Sequence, residues 1–153
     1  MRIKPKELVN ANHVSIILGD PAAEKQFPLF VNLVRAGFPS PAEDYSEERI
    51  SLTQYLNGNP TATFYVRVEG DSMEDFGLFA GDLLVIDRSL EVRSGDIILA
   101  NIDNEFTVKK LEISGDGVRL VAGNKKYKSI QITTNLEMLV WGVVRGLARR
   151  FRK

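Results

Sequence analysis

Thr63-Phe64-Tyr65-Val66-Arg67-Val68-Glu69-Gly70-Asp71-Ser72-Met73 is the stretch on which the reading of this chain turns. Thr63 to Val68 is rich in β-branched and aromatic residues, the composition of a strand that packs on a pleated, half-buried surface. Gly70, Asp71 and Ser72 then follow as ordinary turn residues. A small serine held at a strand end, with a backbone N–H beside it, is also where a nucleophile can sit on a rigid scaffold. The tetrapeptide alone does not choose between the two readings.

Downstream of this point the chain keeps one rhythm. Leu83-Leu84-Val85-Ile86 lies between Gly81-Asp82 and Asp87-Arg88, and Gly95-Asp96 precedes Ile97-Ile98-Leu99-Ala100-Asn101-Ile102. Asp103-Asn104 turns into Phe106-Thr107-Val108-Lys109-Lys110-Leu111, and further runs cover 118–121, 130–133 and 138–144. Short apolar runs separated by turn residues at such intervals predict a mostly antiparallel β-sheet domain or barrel.

Upstream the signals are weaker. Residues 1 to about 26 are mixed and read as an arm, with no room for a helix-turn-helix domain ahead of the rest. Phe30, Leu33 and Val34 can line one face of a short helical turn, which stops at Gly37 before the extended Phe38-Pro39-Ser40-Pro41. Asp44 and Glu47 stand at capping-box spacing. Leu52, Tyr55 and Leu56 follow as an apolar face, so one short helix is predicted over 45–57, ended by Gly58-Asn59-Pro60. The tail 145–153 carries five basic residues and no acid, read as a solvated terminus or a contact for DNA phosphate.

Composition narrows the chemistry. The chain has 153 residues, a formal net charge of zero and no cysteine. Thiol nucleophiles, disulfides and thiolate metal sites are therefore excluded, and neither a cofactor nor a metal is expected. The one histidine, His13, lies far from Ser72 in sequence, so a Ser-His-Asp arrangement has little to draw on. No apolar stretch approaches the ~18–20 residues of a membrane span; a cytoplasmic protein is expected. If a serine is activated here, lysine is the base that remains. A lysine works as a base only when neutral, which burial favours by disfavouring the ammonium. Alternation places Lys109 with Thr107 and Leu111 on one strand face, and Lys110 with Phe106 and Val108 on the other. Periodicity does not say which of the two faces the serine.

The order and spacing of Gly70-Asp71-Ser72-Met73, Gly81-Asp82-Leu83-Leu84-Val85-Ile86-Asp87, Gly95-Asp96-Ile97 and Glu105-Phe106-Thr107-Val108-Lys109-Lys110-Leu111 resembles the self-cleaving LexA/UmuD family of Ser-Lys peptidases. The likeness extends to Ile3-Lys4-Pro5, Phe27-Pro28-Leu29-Phe30 and Gly37-Phe38-Pro39-Ser40-Pro41, and is strongest toward the UmuD branch. It implies a LexA/signal-peptidase-like twisted antiparallel β-sheet domain with a flexible N-terminal arm. It implies a serine endopeptidase with Ser72 as nucleophile, Lys109 as general base and Lys110 as its outward neighbour. Backbone N–H groups of Ser72 and Met73 would form the oxyanion hole. Asp71, Glu74, Asp75 and Asp82 are left as turn and surface acids.

The same resemblance turns Ala36-Gly37 into a scissile bond, dividing an arm of residues 1–36 from a peptidase-like β domain of residues 37–153. The 36 residues between that bond and Ser72 reach more than ~100 Å when extended, so reach does not limit attack in cis. Family partners would be a second copy in a homodimer, the RecA–single-stranded DNA filament that stimulates cleavage, and a UmuC-type Y-family subunit of translesion DNA polymerase V in SOS mutagenesis. DNA contact would be indirect or through the basic tail. The alternative is a non-catalytic polymerase or DNA-repair binding module of the same fold. The chain departs from the family around Asn12 to Glu24 and in its basic tail.

Overall fold

A computed structural model describes residues 26–30, 37 and 47–152. Its main body is one antiparallel sheet of seven strands: β3 (Thr63–Arg67), β4 (Leu83–Asp87), β5 (Ile97–Ile102), β6 (Glu105–Ser114), β7 (Gly117–Val121), β8 (Ile130–Ile132) and β9 (Met138–Ala148). Their spatial order is β3-β4-β9-β5-β6-β7-β8, so β9 returns to the middle and closes the gap between β4 and β5. Each of these strands was legible as an apolar run, and the mostly-β antiparallel architecture is the one expected.

The central strands are apolar on both sides, and each side covers its own core. On β5, Leu99 packs with Phe64, Met73, Leu78, Leu84 and Ile86. The alternate residues Ile98 and Ala100 pack with Leu111, Leu120, Val140 and Val143. Ile98, Ala100, Leu84, Ile86 and Leu120 are fully buried. Burying a leucine or isoleucine side chain contributes about 1.5–3 kcal/mol, so these two layers hold the sheet rigid where the site is built.

Strand β9 makes its double pairing through two irregularities. Its register shifts against β5 between Leu99 and Ala100, leaving Trp141 as the extra residue. It shifts against β4 between Val85 and Ile86, leaving Arg145 extra. A bulge re-aims the side chain it inserts. Trp141 meets Phe106 edge to face at 4.7 Å, and Arg145 reaches the buried carboxylate of Asp87 at 3.6 Å.

Three expectations are corrected. Phe30, expected to share a helical face with Leu33 and Val34, instead ends strand β1 (Phe27–Phe30), paired antiparallel with β2 (Glu47–Ile50), Phe27 opposite Ile50 and Phe30 opposite Glu47. Leu33 and Val34 lie outside the described residues. The helix α1 covers only Leu52–Leu56, capped by Ser51, whose hydroxyl accepts from the Gln54 N–H at 3.2 Å. The predicted box fails because Glu47 is committed to the β2 ladder, and of the predicted apolar face Leu52 and Tyr55 are exposed while only Leu56 is half-buried. The basic tail is not a free terminus either. Strand β9 runs through Arg145 to Ala148, and Arg149 is bound to the body.

Candidate active site

The Ser72 loop begins where β3 ends. Val68 holds the loop's two ends together, its N–H donating to Asp82 O and its carbonyl accepting from Gly81 N–H. Gly70 takes φ +81°, a left-handed conformation that glycine adopts without the Cβ penalty, and turns the chain into Asp71-Ser72-Met73. Met73 is buried in the first core and its carbonyl accepts from the N–H groups of Phe76 and Leu78. The short 3-10 turn Glu74–Phe76 follows, ended by Gly77 at φ +79°. Ser72 thus sits between a glycine swivel and a side chain anchored in the core.

Lys109 comes from β6, opposite Ile98 of β5. It is 8% exposed, which is rare for a lysine. Its Nζ donates to Ser72 Oγ at 2.9 Å, to Thr107 Oγ1 at 3.1 Å and to the Val108 carbonyl at 3.0 Å. Burial pushes the Lys109 amine below its ordinary value of 10.5, because the low-dielectric surroundings disfavour the ammonium. Three acceptors match the three N–H bonds of an ammonium. When the proton leaves, Thr107 and Val108 can keep the remaining two, and the lone pair is left facing Ser72 Oγ. In that state the serine hydroxyl donates to the amine, which is the geometry of a base poised on a nucleophile.

The N–H groups of Ser72 and Met73 donate to no acceptor among the described residues, so both are available to a developing negative charge. Lys110, the neighbour on the other face, is half-buried with its Nζ 5.2 Å from the centre of the Phe76 ring; it does not reach Ser72. Gly37 stands exposed in a bend, with nothing within 4 Å of where a Cβ would project. The structure therefore brings Ser72 and Lys109 together, with Met73 next to the serine, and none of the three lies within 4 Å of the Gly37 Cβ position. Ala36 and His13 lie outside the described residues. No group of His, Asp or Glu capable of holding a metal occurs among the described residues.

Two acids read as surface residues do more than that. Asp82 is 1% exposed and accepts the Phe79 N–H at 2.8 Å and two N–H groups of Arg149 at 2.5 Å. Arg149 also donates to the Gly77 carbonyl and lies 4.6 Å over the Phe79 ring. The C-terminal end of β9 thereby pins the far end of the Ser72 loop. Asp71 binds the β7–β8 connection, as developed below. Glu74 and Asp75 are exposed, as expected. The only sequence signal for Asp82 was its place in a Gly-Asp pair ahead of a strand, which reads equally as a turn.

Residues 28–145 match the family described as Peptidase S24-like. Among curated relatives, the chain is 42% identical to protein SamA of Salmonella typhimurium over 125 residues, 82% of this chain and 86% of that one. It is 48% identical to protein ImpA of Escherichia coli over 94 residues, 60% and 65% of the two chains. It is 42% identical to protein MucA of Escherichia coli over 118 residues, 76% and 80%.

Proposed function

Because the chain belongs to the Peptidase S24-like family, and resembles its UmuD branch, we propose that it cleaves its own backbone between Ala36 and Gly37 by a Ser-Lys mechanism. The observation that carries this reading is the buried Lys109 Nζ at 2.9 Å from Ser72 Oγ. Neutral Lys109 takes the Ser72 hydroxyl proton as Oγ attacks the Ala36 carbonyl carbon. The resulting oxyanion is held by the N–H groups of Ser72 and Met73. The Lys109 ammonium then gives its proton to the Gly37 nitrogen as the peptide bond breaks, leaving Ala36 esterified to Ser72. Water, deprotonated by the same amine, hydrolyses that ester and frees both Ser72 and the Ala36 carboxylate. Contacts from Lys109 to Thr107 and Val108 hold the amine in place through both half-reactions.

Attachment of the cleaved segment to the peptidase makes attack intramolecular, with a large gain in effective concentration. With Gly37 in an exposed bend, docking at Ser72 would have to precede chemistry, and a rarely docked chain would stay intact. A RecA–single-stranded DNA filament that favours the docked state would act as the trigger by population shift. The 37–153 product would then serve, as a homodimer in the cytoplasm, with a UmuC-type polymerase in translesion DNA synthesis during the SOS response. Among the described residues no helix is long and apolar enough to cross a membrane.

The test is intact mass against time for the purified chain, beside Ser72→Ala and Lys109→Ala, at pH 7 and near pH 10. Slow conversion to 1–36 and 37–153, faster at the higher pH and absent in both variants, is the expected result. A wild type that stays whole at high pH and with a RecA–DNA filament would instead favour a binding module without chemistry.

A further inference from the structure

The connection between β7 and β8 grips the Ser72 loop through groups other than Lys109. Gly123 N–H donates to the Ser72 carbonyl at 2.7 Å, and the Gly123 carbonyl accepts from Asp75 N–H at 2.7 Å. Asn124 Nδ2 donates to the Asp71 carbonyl at 3.0 Å. The Asp71 carboxylate accepts from the Tyr127 hydroxyl at 2.5 Å and from Lys126 Nζ at 3.2 Å, one oxygen each. None of these groups touches Ser72 Oγ or Lys109 Nζ. The two bonds from Gly123 go to the backbone of Ser72 and Asp75, and the other three of the five go to Asp71, the residue immediately before the serine.

That residue needs holding. Gly70 at φ +81° precedes it, and a glycine there leaves the chain free to swing. Met73 is anchored in the core, but Asp71 lies on the solvent side with its side chain about one-third exposed. A carboxylate that accepts from a phenol and an ammonium makes charge-assisted bonds, shorter and more directional than neutral ones. Both partners lie outside regular strands, in a loop anchored by the Gly123 contacts. Placing Ser72 Oγ within bonding distance of the lysine depends on where Asp71 is fixed.

We propose that Asp71 is a positioning residue, and that Tyr127 and Lys126 lock it so that Ser72 Oγ stays aligned with the Lys109 amine. The inference rests on the reading of Ser72 as nucleophile. It assigns a function to the 123–127 segment, which neither composition nor motif singled out. The lock acts on geometry alone: what depresses the Lys109 amine is burial, not the charge of Asp71.

The experiment follows self-cleavage of the full chain from pH 6 to 11 by intact mass, for wild type, Tyr127→Phe, Asp71→Asn and Asp71→Ala. A second readout is covalent uptake of diisopropyl fluorophosphate at Ser72. Misplacement of a reacting group by an ångström costs up to roughly a hundredfold, so Tyr127→Phe is expected to slow both reactions by about ten- to a hundredfold. The apparent pKa of the pH–rate profile should stay where it is in wild type, and the melting temperature should hold, because Tyr127 is exposed. Asp71→Asn keeps an acceptor for the phenol and should fall between wild type and Asp71→Ala. If wild type cuts and Tyr127→Phe cuts equally fast, the inference fails and the function stands. A shifted profile, or a rate loss matched by a large fall in melting temperature, also overturns it, since the role is then electrostatic or structural. A wild type that neither cuts nor takes up the fluorophosphate overturns the reading of Ser72 and this inference with it.

Discussion

Replacing Lys109 by Met, in a Ser72→Ala background that cannot cut itself, separates what the lysine does for chemistry from what it does to stability. Methionine is of similar length and has no proton to lose. Burial holds the Lys109 amine below its ordinary value in the folded chain, so between the folded and unfolded values the unfolded state binds more protons. Stability then rises with pH across that window, because its slope follows the excess of protons on the unfolded chain. Below the window the buried ammonium exacts its full cost, and each unit of depression corresponds to about 1.4 kcal/mol. The bonds to Thr107 and Val108, worth roughly 0.5–1.5 kcal/mol each, are absent from the methionine variant at every pH; to first order they displace its curve without tilting it. With urea slopes of roughly 1–3 kcal/mol/M, each unit moves the midpoint by about 0.5–1.4 M. Trp141, the one tryptophan, packs on Phe106 and reports unfolding by its fluorescence. Measured at pH 7, 8, 9 and 10, the lysine chain should gain stability relative to the methionine chain once the pH enters the window between the lowered folded value and the unfolded one. Parallel curves, or a lysine chain that loses ground, would refute the claim that a desolvated amine sits in this site.

The remaining predictions concern rate, shape and release. Self-cleavage should climb about tenfold per unit of pH and level off below the ordinary lysine value of ~10.4, and Lys109→Arg should not cut at any pH, since a guanidinium stays charged; intact mass reads both. Gly123→Ala should slow cleavage at least tenfold by rough analogy with other small displacements, because its Cβ would lie 2.5 Å from a Phe76 ring carbon and push on the turn after Ser72. Arg149→Met should lower the melting temperature by several degrees by leaving Asp82 buried without its cation. The Arg149 bonds hold the Asp82 carboxyl below 3.8, so their contribution is present above that pH and lost as pH falls through the lowered value; the deficit of the variant should shrink in acid. Finally, β1 and β2 lie on opposite sides of the proposed cut and are joined by four register pairs. So short a two-stranded ribbon is marginal by itself. Gel filtration after cleavage should therefore separate 1–36 from 37–153, whereas co-elution would show that the ribbon survives.

The strands were legible because each is an apolar run punctuated by Gly-Asp or Asp-Asn, and the sheet needs little else. Their ends were not. Strand β9 runs four residues past Val144 because Arg145 is absorbed in a bulge and paired with Asp87, and a run of basic residues carries no trace of that in sequence. Phe30 was grouped with Leu33 and Val34 on a helical face because a short apolar run fits a helical turn or a strand equally well; the β2 partner of its strand lies about twenty residues away. The site was half legible. Alternation paired Lys109 with Thr107, and the Nζ contact to Thr107 Oγ1 is that pairing made physical. Choosing Lys109 over Lys110 needed the resemblance, since both faces of β6 meet apolar neighbours. Asp82–Arg149 and Asp71–Tyr127, separated by 67 and 56 residues, had no local pattern to betray them.

The location of the site follows from unequal strand lengths. Strand β6 has ten residues and β7 only five, and β7 pairs with β6 from Lys110 to Ser114. Lys109 is the first position beyond that ladder. On its other side β6 remains fully paired with β5 from Ile97 to Ile102, so the lysine rides on a strand fixed by one neighbour and released by the other. The chain leaving β7 does not follow β6 further. It turns at Gly123 and bonds the nucleophile loop through the Ser72 carbonyl and the Asp75 N–H. Where the ladder ends, a rigid strand therefore faces a loop. The strand buries an amine that would be solvated at an ordinary sheet edge, and the loop brings the serine to it. Were β7 to continue pairing past Lys110, a backbone would run alongside Lys109 on the flank where β7 now turns away to bond the Ser72 loop, and Gly123 could no longer hold that loop in place. The early end of β7 is thus the feature that lets a buried lysine and an approachable serine occupy adjoining places.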